Sequence, residues 1–244
     1  MSESPASLEL LIATLARLLV GCRAVAVGAG SPIPAAASLL AQHLSRGRTK
    51  AMILGSTRFG PFSDGGPELF DRAGQGRVEA FFLGGGQIDG EANINLVGAG
   101  PYPAATARFP GNYGSAYLYF TVPKVILFRE EHSRRVLVPK VDFVSAPGWS
   151  PPEVQRAGGP IALVTGRAAF AYRRDAHRFR LTSVHPGNTV SDIRANTGFD
   201  FDGAETVPET PAPDGAMLAA LRGPVRDKLA TIYPAFVAAR LAAA

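Results

Sequence analysis

Apolar residues recur at helical spacing near the start of the chain. Leu8, Leu11, Ile12, Leu15, Leu18 and Leu19 fall on one stripe behind Ser4 and Pro5, a pair suited to opening a helix. Residues 23–27 then make a short apolar run that predicts a strand, and residues 28–32 read as its exit turn. Residues 34–45 predict a second helix, with Ala37, Leu40, Ala41 and Leu44 inward, and residues 51–54 supply another strand. Strand, turn, helix and strand together predict a βαβ unit, whose two strands run parallel through a right-handed crossover.

The pattern changes over residues 55–76, where Gly, Pro, Ser and Asp predict an irregular loop. Such a loop lies beyond the carboxyl end of a strand, where open α/β sheets place ligands. Residues 78–83 read as a further buried strand and 101–113 as a loop. Strands follow over 124–130, 136–144, 160–165, 168–172 and 179–184, the last three antiparallel with a hairpin turn at 173–177. A short helix is predicted over 189–196, a surface connection over 203–213 and a longer closing helix over 214–229. The class is therefore α/β: an open, mainly parallel sheet with flanking helices and an antiparallel C-terminal portion, built as a single domain over residues 1–244.

Composition adds limits. With 244 residues, 46% of them hydrophobic, the chain can bury a substantial core. Its 27 glycines and 20 prolines are spread between apolar runs, which implies many turns and not disorder. A net charge of +5 is too small for this length to point to nucleic acid. The arginines at 167, 173, 174, 178 and 180 read as a solvated hairpin face, or as contacts to phosphates or an acidic partner surface. Cys22, the single cysteine, excludes an intramolecular disulfide and reads as a small buried hydrophobe. No apolar run approaches the roughly 18 residues of a membrane span, so no membrane partner is expected and the expected location is the cytoplasm.

The stretch FFLGGGQIDGEANINLVGAG, residues 81–100, is the strongest candidate site. Gly84, Gly85 and Gly86 follow a buried run and allow a sharp turn and a close approach that a Cβ would exclude. Glycines beside strands also make bulges that bind nothing. Gln87, Asp89, Glu91, Asn93 and Asn95 alternate with apolar or small residues, which predicts polar groups along one side of an extended segment. The templates GxxxxGK[ST] and GxGxxG are matched neither here nor at Gly28 to Gly30, which excludes an ordinary nucleotide loop. The four histidines, at 43, 132, 177 and 185, share no metal-ligand spacing, so no metal site is expected. No G-x-S-x-G elbow accompanies Ser56, and Asn196 to Phe199 reads as a helix end closed by Gly198.

The ordered motifs GGGQIDGEANIN, RFPGNYGSA, HSRRVLVPKVDFVSAPG, GGPIALVTG, SVHPG and NTGFDFD resemble the B (beta) chain of family I CoA transferases, in the glutaconate CoA-transferase branch. The resemblance runs from about residue 25 to residue 202. It implies an α/β fold of the CoA-transferase type and a separate A (alpha) subunit, in a heterodimer or an α2β2 heterotetramer. The implied site lies between the subunits. Coenzyme A is the implied substrate, with no permanently bound cofactor. In such enzymes a glutamate attacks an acyl-CoA thioester, forms an acyl anhydride and then carries CoA to another carboxylic acid. The resemblance assigns oxyanion and CoA binding to Gly84, Gly85, Gly86 and Gln87, while Asp89, Asn93 and Asn95 would shape the loop or contact the acyl group. The position of the nucleophilic glutamate reads here as Gly55. Either a nearby carboxylate, Asp64, Glu68 or Glu91, takes over; or a partner carboxylate or water acts, giving a transferase or a CoA-ester or ring-opening hydrolase; or the subunit is a silent CoA-binding scaffold. Trp149 is expected to cover the cleft or meet the partner.

Overall fold

A computed structural model describes residues 5–60 and 62–241, so Ser4 of the expected helix start lies outside the described residues. The chain divides into two compact units, residues 1–82 with 211–244, and residues 83–210.

In the first unit, helix α1 (Pro5–Leu18) leads to strand β1 (Ala24–Val27), helix α2 (Pro32–Leu44) and strand β2 (Lys50–Ile53). Strand β1 pairs parallel with β2, from Ala24 opposite Lys50 to Val27 opposite Ile53, and parallel with β3 (Ala80–Leu83) on its other side. The apolar stripe of α1 is the reason it packs, since Leu8, Leu11, Ile12 and Leu15 are buried with Leu39 and Leu40 of α2. Glu9 is buried on the same helix and is matched by a bidentate pair from Arg222, at 2.7 and 2.8 Å. Cys22 is buried, as expected.

The 55–76 stretch is only partly a loop. Helix α3 (Gly66–Gly74) occupies its second half, opened by Pro67 in the first turn and buried through Leu69 and Ala73. Two apolar contacts in nine residues left too weak a period to read. The closing helix is broken as well. Helix α6 (Gly215–Ala220) passes into a π turn at Leu221–Val225, where Gly223 is non-helical and Pro224 removes a donor, before α7 (Arg226–Ala230) and α8 (Pro234–Arg240).

In the second unit the small hairpin strands β4 (Gln87–Ile88), β5 (Ile94–Asn95), β6 (Gly98–Ala99) and β7 (Ala107–Arg108) come first. Helix α4 (Ser115–Thr121) and strands β8 (Lys124–Arg129), β9 (Pro160–Thr165), β10 (Ala168–Arg173) and β11 (Arg178–Val184) follow. Strand β8 is parallel to β9, and β10 is antiparallel to both β9 and β11. The α/β class, the mainly parallel early pairing and the antiparallel C-terminal portion all agree with the sequence reading. Residues 136–144 are no strand. They contribute a single bridge, Leu137 with Ile88, because Pro139 removes a donor and the segment bends away. Helix α5 (Val190–Asn196) starts in a capping box of Thr189 and Asp192. It does not end on a left-handed glycine. Thr197 is extended, and Gly198 is small because Leu137 O would lie 2.3 Å from a Cβ there.

Candidate functional site

Strand β3, buried along its length, delivers the chain to Gly84, Gly85 and Gly86. None of the three has a positive φ. Their need for glycine is spatial, and what approaches them closely is protein. A Cβ would stand 3.0 Å from Phe128 O at Gly84, 2.5 Å from Gln87 O at Gly85 and 2.3 Å from the Phe109 ring at Gly86. Gly86 N–H donates to Asn95 O at 2.8 Å.

The polar residues that follow do not line one extended strand. Gln87 pairs with Asn95 and Ile88 with Ile94 in an antiparallel hairpin, and residues 89–92 form its turn. Asp89 builds that turn. Its Oδ1 accepts from Glu91 N at 3.1 Å and Asn93 N at 3.0 Å, and its Oδ2 accepts from Asn93 Nδ2 at 3.0 Å. Burial raises the Asp89 carboxyl above its ordinary range. Tyr119 and Tyr172 hydroxyls donate to the carbonyls of Ala92 and Glu91, at 2.8 and 3.0 Å, and so dock the turn on the unit.

At the root of the hairpin the side chains are saturated by one another. Gln87 Oε1 accepts from Asn95 Nδ2 at 2.7 Å and from Asp142 N at 3.0 Å, while Gln87 Nε2 donates to Asp142 Oδ2 at 2.8 Å. Asn95 Oδ1 accepts from Val97 N at 2.9 Å, and Asn95 Nδ2 also donates to Gly98 O at 2.7 Å. Asp142 Oδ2 takes Gly100 N as well, at 2.8 Å; this N–H and the Gln87 amide hold the Asp142 carboxyl below its ordinary range. Gln87, Asn95 and Asp142 thus form a clamp that fixes the glycine turn and the start of the 98–111 segment. The sequence reading missed Asp142 and Phe109, although both stand in quoted motifs, because their partners are far along the chain.

Asp89 and Asn93 also border a cleft of about 560 Å³, whose other walls include Lys140, His177, Arg178 and Asp200. None of Gly84, Gly85, Gly86, Gln87 or Asn95 lines it. Trp149 stands near this end, stacked on His177 at 4.4 Å and 8°, and donates to Glu91 Oε2 at 3.3 Å.

Gly55 belongs to the other unit. Its φ of +82° closes a turn in which Ser56 N donates to Ile53 O at 3.1 Å. A side chain would find only Ala29 Cβ at 3.9 Å, so it is the backbone conformation that favours glycine there. Ser56 Oγ accepts from Phe59 N at 3.0 Å. Of the carboxylates weighed as substitutes, Glu68 is held by Arg72 and Ser63, which lower its pKa to about 2. Glu91 is tied to Trp149, and Asp64 is exposed.

Histidines that are distant in sequence do meet. His132 Nδ1 lies 2.8 Å from Thr165 Oγ1, and His185 Nε2 lies 2.9 Å from Thr165 O. Thr197 and Thr210 complete the two rings' contacts, at 3.1 and 2.8 Å. Burial lowers the pKa of both, that of His132 to about 4. Among the described residues no group of His, Cys, Asp or Glu is arranged to hold a metal ion, and no helix is long and apolar enough to cross a membrane.

Comparison with known proteins accords with these motifs. The beta chain of glutaconate CoA-transferase from Acidaminococcus fermentans is 32% identical over 58% of this chain, a stretch that covers 54% of that relative's length. The IpdB component of the cholesterol ring-cleaving hydrolase of Mycobacterium tuberculosis is 27% identical over 79% of this chain and 76% of its own. The crystal structure of the decarboxylase AibA/AibB superposes with a TM-score of 0.75 at 26% identity, over 94% of this chain and 95% of that one. Residues 9–196 match the Coenzyme A transferase model, so the chain belongs to the Coenzyme A transferase family.

Proposed function

We propose that this chain is the beta component of a two-subunit enzyme that moves CoA between an acyl-CoA and a carboxylic acid, in a heterodimer or α2β2 assembly with an alpha subunit. Coenzyme A is substrate, and no cofactor is permanently bound. The observation that carries the reading is a glycine turn locked in place by Phe109 and the Gln87–Asn95–Asp142 clamp, in a member of this family. Gly86 N–H is engaged by Asn95 and Gln87 N–H lies in the hairpin pairing with Asn95, so oxyanion contact falls to the backbone N–H groups of Gly84 and Gly85, with Gly86 giving room for Phe109 and Gln87 holding the turn. Asp89, Asn93 and Asn95 shape the loop.

The turn after β2 offers glycine where the family resemblance expects a nucleophile, so the attacking carboxylate comes from the alpha subunit. That carboxylate adds to the thioester carbonyl and expels CoA thiolate, leaving an acyl anhydride. The thiolate then attacks the enzyme-side carbonyl of the anhydride, releasing the donor acid and leaving an enzyme-CoA thioester; an acceptor carboxylate attacks that thioester, expels CoA thiolate and forms a second anhydride, and the thiolate takes the acceptor's acyl group as the enzyme carboxylate is freed. Gly55 also favours a second reading. Water activated by a partner carboxylate would hydrolyse the CoA ester or a carbon-carbon bond; the IpdB relative is named a ring-cleaving hydrolase.

Co-expression with an alpha subunit and assay with acyl-CoA decides between them. Transfer requires an acceptor acid and yields a hydroxylamine-sensitive enzyme-CoA adduct. Release of free CoA without an acceptor favours hydrolysis. Replacing Gly85 by Trp should abolish either activity, and unchanged turnover would reduce this chain to a scaffold.

A further inference from the structure

Two arginines of the second unit have no carboxylate to answer them. Arg135 is paired with Glu131 and Arg178 with Asp202, whereas Arg134 and Arg194 enter no ion pair among the described residues. Both are nonetheless held in place. Arg134 Nε donates to Ala195 O at 2.8 Å, and its two Nη groups make no hydrogen bond among the described residues. The Arg194 guanidinium lies over the ring of buried Phe201, 4.7 Å from its centroid. A guanidinium already fixed by a neighbour loses little further freedom when it binds a ligand. The two side chains border one small cavity of about 140 Å³, with Thr197 and Gly198 also in its wall.

That cavity adjoins the 560 Å³ cleft, since Phe199 and Asp200 line both. Lys140 stands in the larger one, exposed and without an ion-pair partner among the described residues. Of the cleft's carboxylates, Asp89 is taken up by the hairpin turn and Glu91 by Trp149, which leaves Asp200 exposed at the junction. Unanswered positive charge therefore exceeds unanswered negative charge across the joined cavities, which suits a ligand of more than one negative charge. The basic segment is also strapped to the glycine-turn hairpin. Ile88 N donates to Val136 O at 2.7 Å and Val138 N to Ile88 O at 2.9 Å, so the stretch that carries Arg134 and Lys140 runs beside the residue after Gln87. Gly198 N donates to Leu137 O at 2.8 Å and fixes the opposite wall to the same stretch.

We propose that Arg134, Arg194 and Lys140 bind the phosphorylated nucleotide end of a CoA thioester, with a phosphoryl group between the two arginines and the rest of that end in the cleft beside Lys140. This rests on the reading of CoA as substrate and of Gly84 and Gly85 as the thioester-binding turn. Paired guanidinium forks match phosphate oxygens, and the small cavity admits a phosphoryl group but no nucleoside, which the larger cleft accommodates. Asp200 at the junction suits the hydroxyl and amine donors of such an end.

The test uses the complex of this chain with its alpha subunit and one acyl group in two forms: the CoA ester, and the pantetheine ester that lacks the nucleotide and its phosphates. The double variant Arg134→Gln, Arg194→Gln changes exposed positions, and circular dichroism with co-purification of the alpha subunit checks its fold and assembly. Its kcat/KM for the CoA ester relative to the pantetheine ester should fall at least about tenfold, through KM. Calorimetry should show adenosine 3′,5′-bisphosphate binding the wild-type complex, and the variant weakening that binding by a similar factor. An unchanged ratio in the folded, assembled variant overturns the proposal and leaves the function reading intact. So does bisphosphate binding no tighter than inorganic phosphate, which would leave a general anion site, or loss of the alpha subunit from the variant, which would give the arginines to the partner surface. A wild-type complex that turns over neither ester overturns both.

Discussion

Gly86 shows how one residue can be fixed by a neighbour that sequence does not place beside it. The Phe109 ring lies where its Cβ would go, so Gly86→Ala must push that ring away. We expect it to cost about 1–3 kcal/mol in denaturant unfolding, a typical overpacking penalty. Turnover should fall further than stability accounts for, because the turn itself moves. Buried His132 makes stability depend on pH. Its folded pKa of about 4 lies below the ordinary value of 6.5, so the unfolded chain takes up a proton first as pH falls. Stability is therefore full above pH 6.5 and declines toward pH 4, by on the order of 3 kcal/mol, with His185 acting in the same direction. Urea unfolding of His132→Gln should show a flatter slope over that window; a slope equal to wild type would remove His132 as its source.

At the scale of elements, the hairpin β4–β5 is the unit that matters. Gln87, Asn95 and Asp142 satisfy one another, so removing one leaves buried partners without hydrogen bonds. Asn95→Leu, at a site with no exposure, should destabilise by at least about 2 kcal/mol. Asp142→Asn keeps the shape but can present an amide to Gly100 N–H, and we expect a milder loss, about 1 kcal/mol. Equal losses in thermal unfolding would contradict this ranking. The alternation from Gln87 to Asn95 was legible in the sequence; that it folds back on itself was not. The reversal depends on Asp89 gripping the N–H groups of Glu91 and Asn93, and on Ala92 at φ +63°. Helix α3 escaped notice for a similar reason, because its apolar face is only Leu69 and Ala73.

For the whole molecule, family membership and chemistry stand on different footings. The match over residues 9–196 settles the first. The second turns on Gly55, whose φ of +82° sets the backbone of the turn after β2 against any larger residue. Gly55→Glu in this chain is thus expected to lower stability by about 1 kcal/mol and to give no gain in transfer. A restored enzyme-CoA adduct in the co-expressed complex would show that the turn can carry a nucleophile after all.

The order of apolar runs determined the first helix, the βαβ unit and the antiparallel end of the chain, because burial on one face or both writes its period directly into sequence. The motif order determined the family. Tertiary structure decided what the glycines are for, which side chains close the clamp and where two distant histidines meet. Those outcomes depend on atoms brought within about 3 Å from positions dozens of residues apart, a separation that no local period encodes.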